Sequence, residues 1–318
     1  MEDEGTRADD LNPAQRAVLD VLGARRDERP VFDPRLRDEL RVELERGLGP
    51  VADRLPEGEQ LWVSKHLLST VHGCEGLFLA SEEAGFTYAP ATARGTVSHK
   101  AIELSVSWRG DPSAGELVDE AIARLIAGGD RIADYLGGLG EGERAELHSE
   151  AVERTAKFLE CFPPLEARWR PVAESRLRAD LAGDRVTLSG KVDLTVGRSE
   201  GMRAGKVLVD LKTGGFSPSH REDLRFYALI ETLRLGVPPR LVASYYLDGG
   251  RIHEEPTTEP GLRSAVARVV DGASAAVALL HEGREPELKP GPPCAWCARR
   301  VSCEVGQRHL AGRADEGW

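Results

Sequence analysis

GKVDLTVGRSEGMRAGKVLVDLKTGG, residues 190–215, is the stretch on which the fold turns. Val192, Leu194 and Val196 alternate with polar residues, and Val207, Val209 and Leu211 do the same, the pattern of strands with one buried face. With residues 199–204 as the connecting loop, antiparallel pairs satisfy i + j = 403. Val192 then faces Leu211, Leu194 faces Val209 and Val196 faces Val207, whereas a slip of one residue would mismatch every pair. The same register sets Asp193 across from Asp210, with Lys212 two residues further on the same face. Directly opposed residues have Cβ atoms about 4.5–5.5 Å apart, so two carboxylates placed there repel unless a cation lies between them. Hard divalent ions such as Mg²⁺ and Mn²⁺ take one or two carboxylates, a backbone carbonyl and several waters. Lys212 is placed to orient a water or to stabilise charge developing on a phosphate. Glu174, on the preceding strand, is a third candidate carboxylate. The plainer alternative is an Asp–Lys salt bridge on a solvated sheet face. Against it, Thr213-Gly214-Gly215 follows the lysine, and sites gather where a strand gives way to a flexible loop.

Working outward, residues 1–10 read as a polar tail, and Asn12-Pro13 starts a short helix with Asn12 as its N-cap. The surrounding DLNPAQRAVLDVL superficially resembles the Q motif of superfamily I helicases, but no GxxxxGK[ST] follows, which excludes an ATPase. A second helix is expected from Pro34 to Gly47, then a mixed segment over 61–78. Helices are expected over 97–108, 115–127 and 143–160, with apolar residues such as Leu117, Ala121 and Leu125 at helical spacing. Strands follow around Val172 and from Val186 to Val196, and Val207–Leu211 forms another. A helix over 219–235 stops at Gly236, and after a strand over 241–247 a helix spans 260–281. The expected architecture is an α/β core with a mixed central sheet flanked by helices, plus a helical insertion. Residues 1–60 form an unassigned helical extension and 61–310 the main domain. Within it lie a helical part (95–162), the sheet (168–250) and a cysteine cluster (290–305).

The chain has 318 residues and a formal net charge of −11, which excludes a protein that coats DNA by charge alone. No stretch approaches the roughly 18–20 uncharged residues of a membrane span, and the acidic N-terminus is unlike a signal peptide, so a cytoplasmic location is expected. Five cysteines, with Cys294, Cys297 and Cys303 inside ten residues, point to a metal site rather than a disulfide scaffold. CAWCARRVSC has C-x2-C-x5-C spacing, three thiolates need a fourth ligand, and Cys74 is the available one. Four thiolates hold either Zn²⁺ or a 4Fe–4S cluster, and the spacing does not choose between them. Cys161 stands apart and reads as a buried small hydrophobe.

GKVDL…VLVDLKTGG resembles the G-x-x-D…D-x-K-T-G pattern of the PD-(D/E)XK nucleases, in particular their RecB-like branch. GTVSHKAIEL is similar to that branch's upstream helical motif and implies His99 as a further metal-site residue, with Glu103 one turn on. The branch carries Gln-Leu-x-x-Tyr after the D-x-K strand. Here DLRFY places Tyr227 in step and Asp223 where Gln is usual, with Arg221 and Arg225 available for phosphates. One upstream cysteine and a C-terminal C-x2-C-x5-C resemble the iron–sulfur members, including the AddB C-terminal nuclease domain and CRISPR spacer-acquisition exonucleases. The resemblance implies a restriction-endonuclease-like fold and a deoxyribonuclease acting on single-stranded DNA ends in repair, recombination or phage defence. It implies Mg²⁺ or Mn²⁺ held by His99, Asp193, Asp210 and the carbonyl of Leu211, with Lys212 assisting. It further implies a 4Fe–4S cluster on Cys74, Cys294, Cys297 and Cys303, with zinc as the alternative occupant, and a helicase or CRISPR integrase as partner. The competing reading is a non-catalytic DNA-binding or scaffold subunit with the same fold.

Overall fold

The computed structural model describes residues 10–315. Residues 1–9, most of the expected polar tail, lie outside the described residues. The chain divides into two compact units. One holds the chain up to Pro34 together with Thr87–Leu177 and Lys191–Thr258; the other holds Arg35–Phe86, Arg178–Gly190 and Glu259 onward.

The first unit opens with α1 (Pro13–Leu22). The Asn12 side chain accepts from the Gln15 N–H at 2.9 Å and the Gln15 side chain accepts from the Asn12 N–H at 3.1 Å, a reciprocal cap. Four helices follow in a cluster: α5 (Pro90–Ser107), α6 (Ala114–Ala127), α7 (Arg131–Gly138) and α8 (Glu141–Cys161). Ala93, Val97, Ala101, Leu117, Ala121 and Ala151 meet in their shared core, where small side chains let the helices approach. The sequence pattern misses α7, because glycines flank it; buried Ile132 and Leu136, one turn apart, hold it in place. Cys161 proves half-buried rather than buried, and its sulfur lies 2.9 Å from where a Cβ on Gly250 would sit.

The unit's sheet is built on β4 (Val207–Lys212), which pairs antiparallel with β3 (Val186–Val196) and parallel with β5 (Leu241–Tyr246). α9 (Ser219–Leu235) makes the crossover between β4 and β5 and ends at Gly236, whose φ of +81° is the left-handed stop that glycine adopts freely. β6 (Arg251–Pro256) adds an antiparallel edge. It escapes the sequence pattern because it is charged and largely exposed, as edge strands tend to be. Leu194, Val196, Val207, Val209, Leu211 and Tyr245 pack on one face with Val18, Ile102, Phe158 and Phe162. β4 and β5 are buried almost throughout, so this strand pair is the rigid centre from which the site is built.

In the second unit α2 (Leu36–Ala52) buries Leu36, Leu40, Leu44 and Leu48 at four-residue spacing. It runs past its expected end at Gly47: a Cβ there would come within 2.5 Å of the Val270 side chain, so this glycine permits close packing rather than ending the helix. Its neighbour α10 (Glu259–His281) also touches α3 (Lys65–Gly73). By length and composition α10 could cross a membrane, although Arg263, Arg268 and Asp271 interrupt its apolar run, and half of its most apolar window is buried in the fold. β1 (Leu61–Val63) pairs parallel with Val186–Leu188 of β3. α4 (Glu75–Ala84) and α11 (Glu304–Asp315) complete the helices. β2 (Val172–Leu181) also pairs with β3, and the mixed sheet runs β1-β3-β4-β5-β6.

Candidate active site

The β3–β4 register follows the expected sum, with Leu194 opposite Val209 and Val196 opposite Val207. The recorded ladder stops one pair short of the two aspartates. There the Asp193 carboxylate takes over, its Oδ2 accepting the Leu211 N–H at 2.7 Å. Its other oxygen lies 3.0 Å from His99 Nδ1 on α5. An ionised carboxylate only accepts, so Nδ1 carries a proton, and in the neutral ring Nε2 keeps its lone pair. Burial works against a charged His99 imidazole, but the adjacent Asp193 charge, with Asp210 and Glu174 behind it, raises its pKa overall. Gly95, one turn before His99, lies where a Cβ would come 3.3 Å from Thr213 Oγ1, so the His99 helix sits close against the end of β4.

Asp210 is fully buried, and the Lys212 ammonium lies 2.7 Å from its Oδ2. The same ammonium meets Asp223 on α9 at 3.2 Å. Lys212 thus bridges two carboxylates, and Asp223, which the D-x-K motif does not single out, proves to be part of the constellation. Glu174 pairs with Lys191 and contributes to the charge around His99. Its φ of +55° inside a strand is a strained value for a residue other than glycine. Tyr227 lies buried within α9. Arg221 and Arg225 both pair with Glu255, at 2.8 and 2.7 Å, and Arg225 also bonds Glu222. Glu103 is bound by Lys100. The contacts thus link His99 and the Leu211 N–H to Asp193, and Lys212 to Asp210, while Glu103 is held by its neighbour.

Among the described residues, no three His, Cys, Asp or Glu side chains lie close enough to one another to hold a metal ion. The chemical types present, carboxylates, a backbone carbonyl and an imidazole, are nonetheless ones that Mg²⁺ and Mn²⁺ take.

Cys74, Cys294, Cys297 and Cys303 line one cavity of about 760 Å³ in the second unit. The Gly291 N–H donates to Cys294 Sγ and the Gly306 N–H to Cys303 Sγ, each at 3.4 Å. Gly306 packs against these cysteines, a Cβ there lying 3.4 and 3.5 Å from the Cys294 and Cys303 sulfurs, an ordinary contact distance. Glu75, next to Cys74, accepts from Arg284 at 2.6 Å and from the Glu287 N–H at 2.7 Å, tying the start of α4 to the segment that leads into the cysteine run.

Residues 63–304 match the family model of the PD-(D/E)XK nuclease superfamily, with the paired aspartates and Lys212 inside the match. The chain belongs to this nuclease superfamily. Its members hydrolyse phosphodiester bonds and typically use divalent metals. No curated protein matches the chain. Among solved structures it is similar to a candidate exonuclease from Eubacterium rectale, at 12% identity and a TM-score of 0.43, over 78% of this chain and 87% of that one. It is also similar to a protein called SSO0001, at 13% identity and a TM-score of 0.32, over 73% of this chain and 95% of that one.

Proposed function

We propose that the protein is a metal-dependent deoxyribonuclease of the RecB-like, iron–sulfur type, acting as an exonuclease on single-stranded DNA ends. The observation that carries this reading is the Asp193–Leu211–Asp210–Lys212 arrangement, in which Asp193 of β3 accepts the Leu211 N–H near the C-terminal end of β4 and the Lys212 ammonium pairs with the buried Asp210 carboxylate. Asp193, Asp210, the Leu211 carbonyl and His99 Nε2 would hold Mg²⁺ or Mn²⁺. Such an ion supplies Lewis-acid polarisation of a phosphate and lowers the pKa of water.

The chain's own groups do the rest. Asp193 keeps the His99 ring oriented through Nδ1, as carboxylates do behind ligating histidines. Lys212 Nζ, fixed by Asp210 and Asp223, donates to charge growing on the phosphate oxygens. Glu174 adds negative charge beside His99. Tyr227 acts from within α9 as a positioning residue for that helix. Arg221, more exposed than Arg225, is the more available for a phosphate, and both would exchange Glu255 for it.

The cavity lined by all four cysteines would take four-thiolate ligation, and the resemblance to the iron–sulfur nucleases favours a 4Fe–4S cluster over zinc as its occupant. The N–H groups on Cys294 and Cys303 are of the kind that tunes cluster potentials. The resemblance supports a cytoplasmic role in repair, recombination or phage defence beside a helicase or CRISPR integrase.

The test uses end-labelled linear and circular single strands with Mg²⁺ or Mn²⁺. Release of nucleotides from the linear strand with the circle intact supports an exonuclease, and nicking of the circle contradicts it. Binding without cleavage under any divalent ion would instead favour the scaffold reading. Stoichiometric zinc with no iron after anaerobic purification would refute the cluster.

A further inference from the structure

Phe, Trp and Tyr make up only 5% of this chain, yet two of them gather with two histidines beside the end of the catalytic strand. Phe216 comes from the loop after Lys212, Tyr246 from the end of β5, His253 from β6 and His220 from the first turn of α9. The Phe216 ring centroid lies 5.2 Å from His253 and 6.2 Å from Tyr246, and His220 Nδ1 lies 2.8 Å from the Tyr246 hydroxyl. Together they line a cavity of about 210 Å³. Phe216 is 64% exposed, so its ring faces solvent instead of packing into the core.

Strand register ties this cavity to the aspartates. Asp210 pairs with Ser244 and Ser244 with His253, and in the next row Lys212 pairs with Tyr246. Paired residues point to the same face of a sheet. The cavity therefore lies on the Asp210 face, one to two strands away, a separation of roughly 5–10 Å at the usual strand spacing.

We propose that this ring cluster is a nucleobase subsite, in which Phe216 stacks a base one or two nucleotides from the phosphate being cut. The inference rests on the nuclease reading above. The lining chemistry favours a base over a phosphate. Glu254 and Glu255 line the cavity, and Arg221, the guanidinium beside them, is already paired with Glu255. Carboxylates repel a phosphate but accept N–H groups from the edge of a base, while the exposed ring takes the face of any base. The loop is held for this task, since the Gly214 N–H donates to Asp248 at 2.8 Å and Gly214 has a φ of +101°, which a side chain would strain. A duplex keeps its bases stacked on one another, so the subsite selects an unpaired strand.

The test places 2-aminopurine at single positions in a single-stranded oligonucleotide and measures its fluorescence on binding in EDTA. Wild type should quench it at one or two positions, Phe216→Ala should lose that quenching, and Phe216→Tyr should keep it. In metal-supported cleavage, Phe216→Ala should raise KM by about 5- to 100-fold, the range expected for one lost stacking contact, with the loss falling on KM rather than kcat. An abasic nucleotide at the quenched position should raise the wild-type KM comparably and add little in Phe216→Ala. Wild-type quenching and KM in Phe216→Ala, alongside active wild type, overturn the subsite and leave the nuclease reading standing. Wild type that neither binds nor cuts DNA overturns both.

Discussion

Lys212 holds one ammonium between the carboxylates of Asp210 and Asp223, at 2.7 and 3.2 Å, and all three side chains are largely buried. Removing the ammonium leaves two like charges facing each other out of water. Lys212→Ala should therefore lose about 3 kcal/mol of stability in EDTA, the scale of a broken buried pair. Mn²⁺ should restore part of that loss and raise the thermal midpoint more in the variant than in wild type. Equal Mn²⁺ shifts in both would mean the ion does not take the ammonium's place. The motif residues at this scale are legible in the sequence, because only one register sets Leu194 and Val196 of β3 against Val209 and Val207 of β4. Asp223 is not legible in the same way, since its contact with Lys212 depends on how α9 folds back over β4. The Phe216 cluster escapes for a similar reason: its rings come from four separate segments that only the folded sheet brings together.

At the scale of elements, α4 is joined to the segment before the cysteine run by Glu75. Burial pushes this carboxyl up, but the Arg284 guanidinium and the Glu287 N–H outweigh it and hold it below the ordinary 4.5. A depressed carboxyl stabilises the fold above its ordinary value and loses that contribution as pH falls through its lowered one. Glu75→Gln should cost about 1–2 kcal/mol at pH 7, discounted because Arg284 is partly solvated. The gap to wild type should close as the pH drops below 4.5, read from urea midpoints along a pH series. A gap that is constant with pH would assign the loss to packing instead. Helix ends show where sequence reasoning succeeds and fails. Asn12 and Gly236 act as the caps their residue types suggest, whereas Gly47 looks like a stop and is a contact point for Val270. A glycine signals freedom of the backbone, and only the neighbouring helix decides how that freedom is used.

At the scale of the whole molecule, a net charge of −11 leaves little long-range attraction for DNA. Arg221 and Arg225 near the site are already paired with Glu255. Affinity for single strands should therefore depend only moderately on salt, with a log–log slope no steeper than about −3, equivalent to a few phosphates. A much steeper slope would reveal a basic track elsewhere on the surface. The mixed α/β architecture and most of its elements follow from the alternation and periodicity of the sequence. α7, β6 and α11 do not, because short, glycine-flanked or highly charged elements carry little periodic signal and are fixed by tertiary packing.

The most direct test compares wild type with Asp210→Asn, an exchange that keeps the shape and removes the charge. Each is incubated with end-labelled single-stranded DNA and Mn²⁺ or in EDTA. The account predicts cleavage by wild type in Mn²⁺ only, and a loss of at least about 100-fold in the variant. Comparable cleavage by Asp210→Asn, or cleavage by wild type that persists in EDTA, would contradict it.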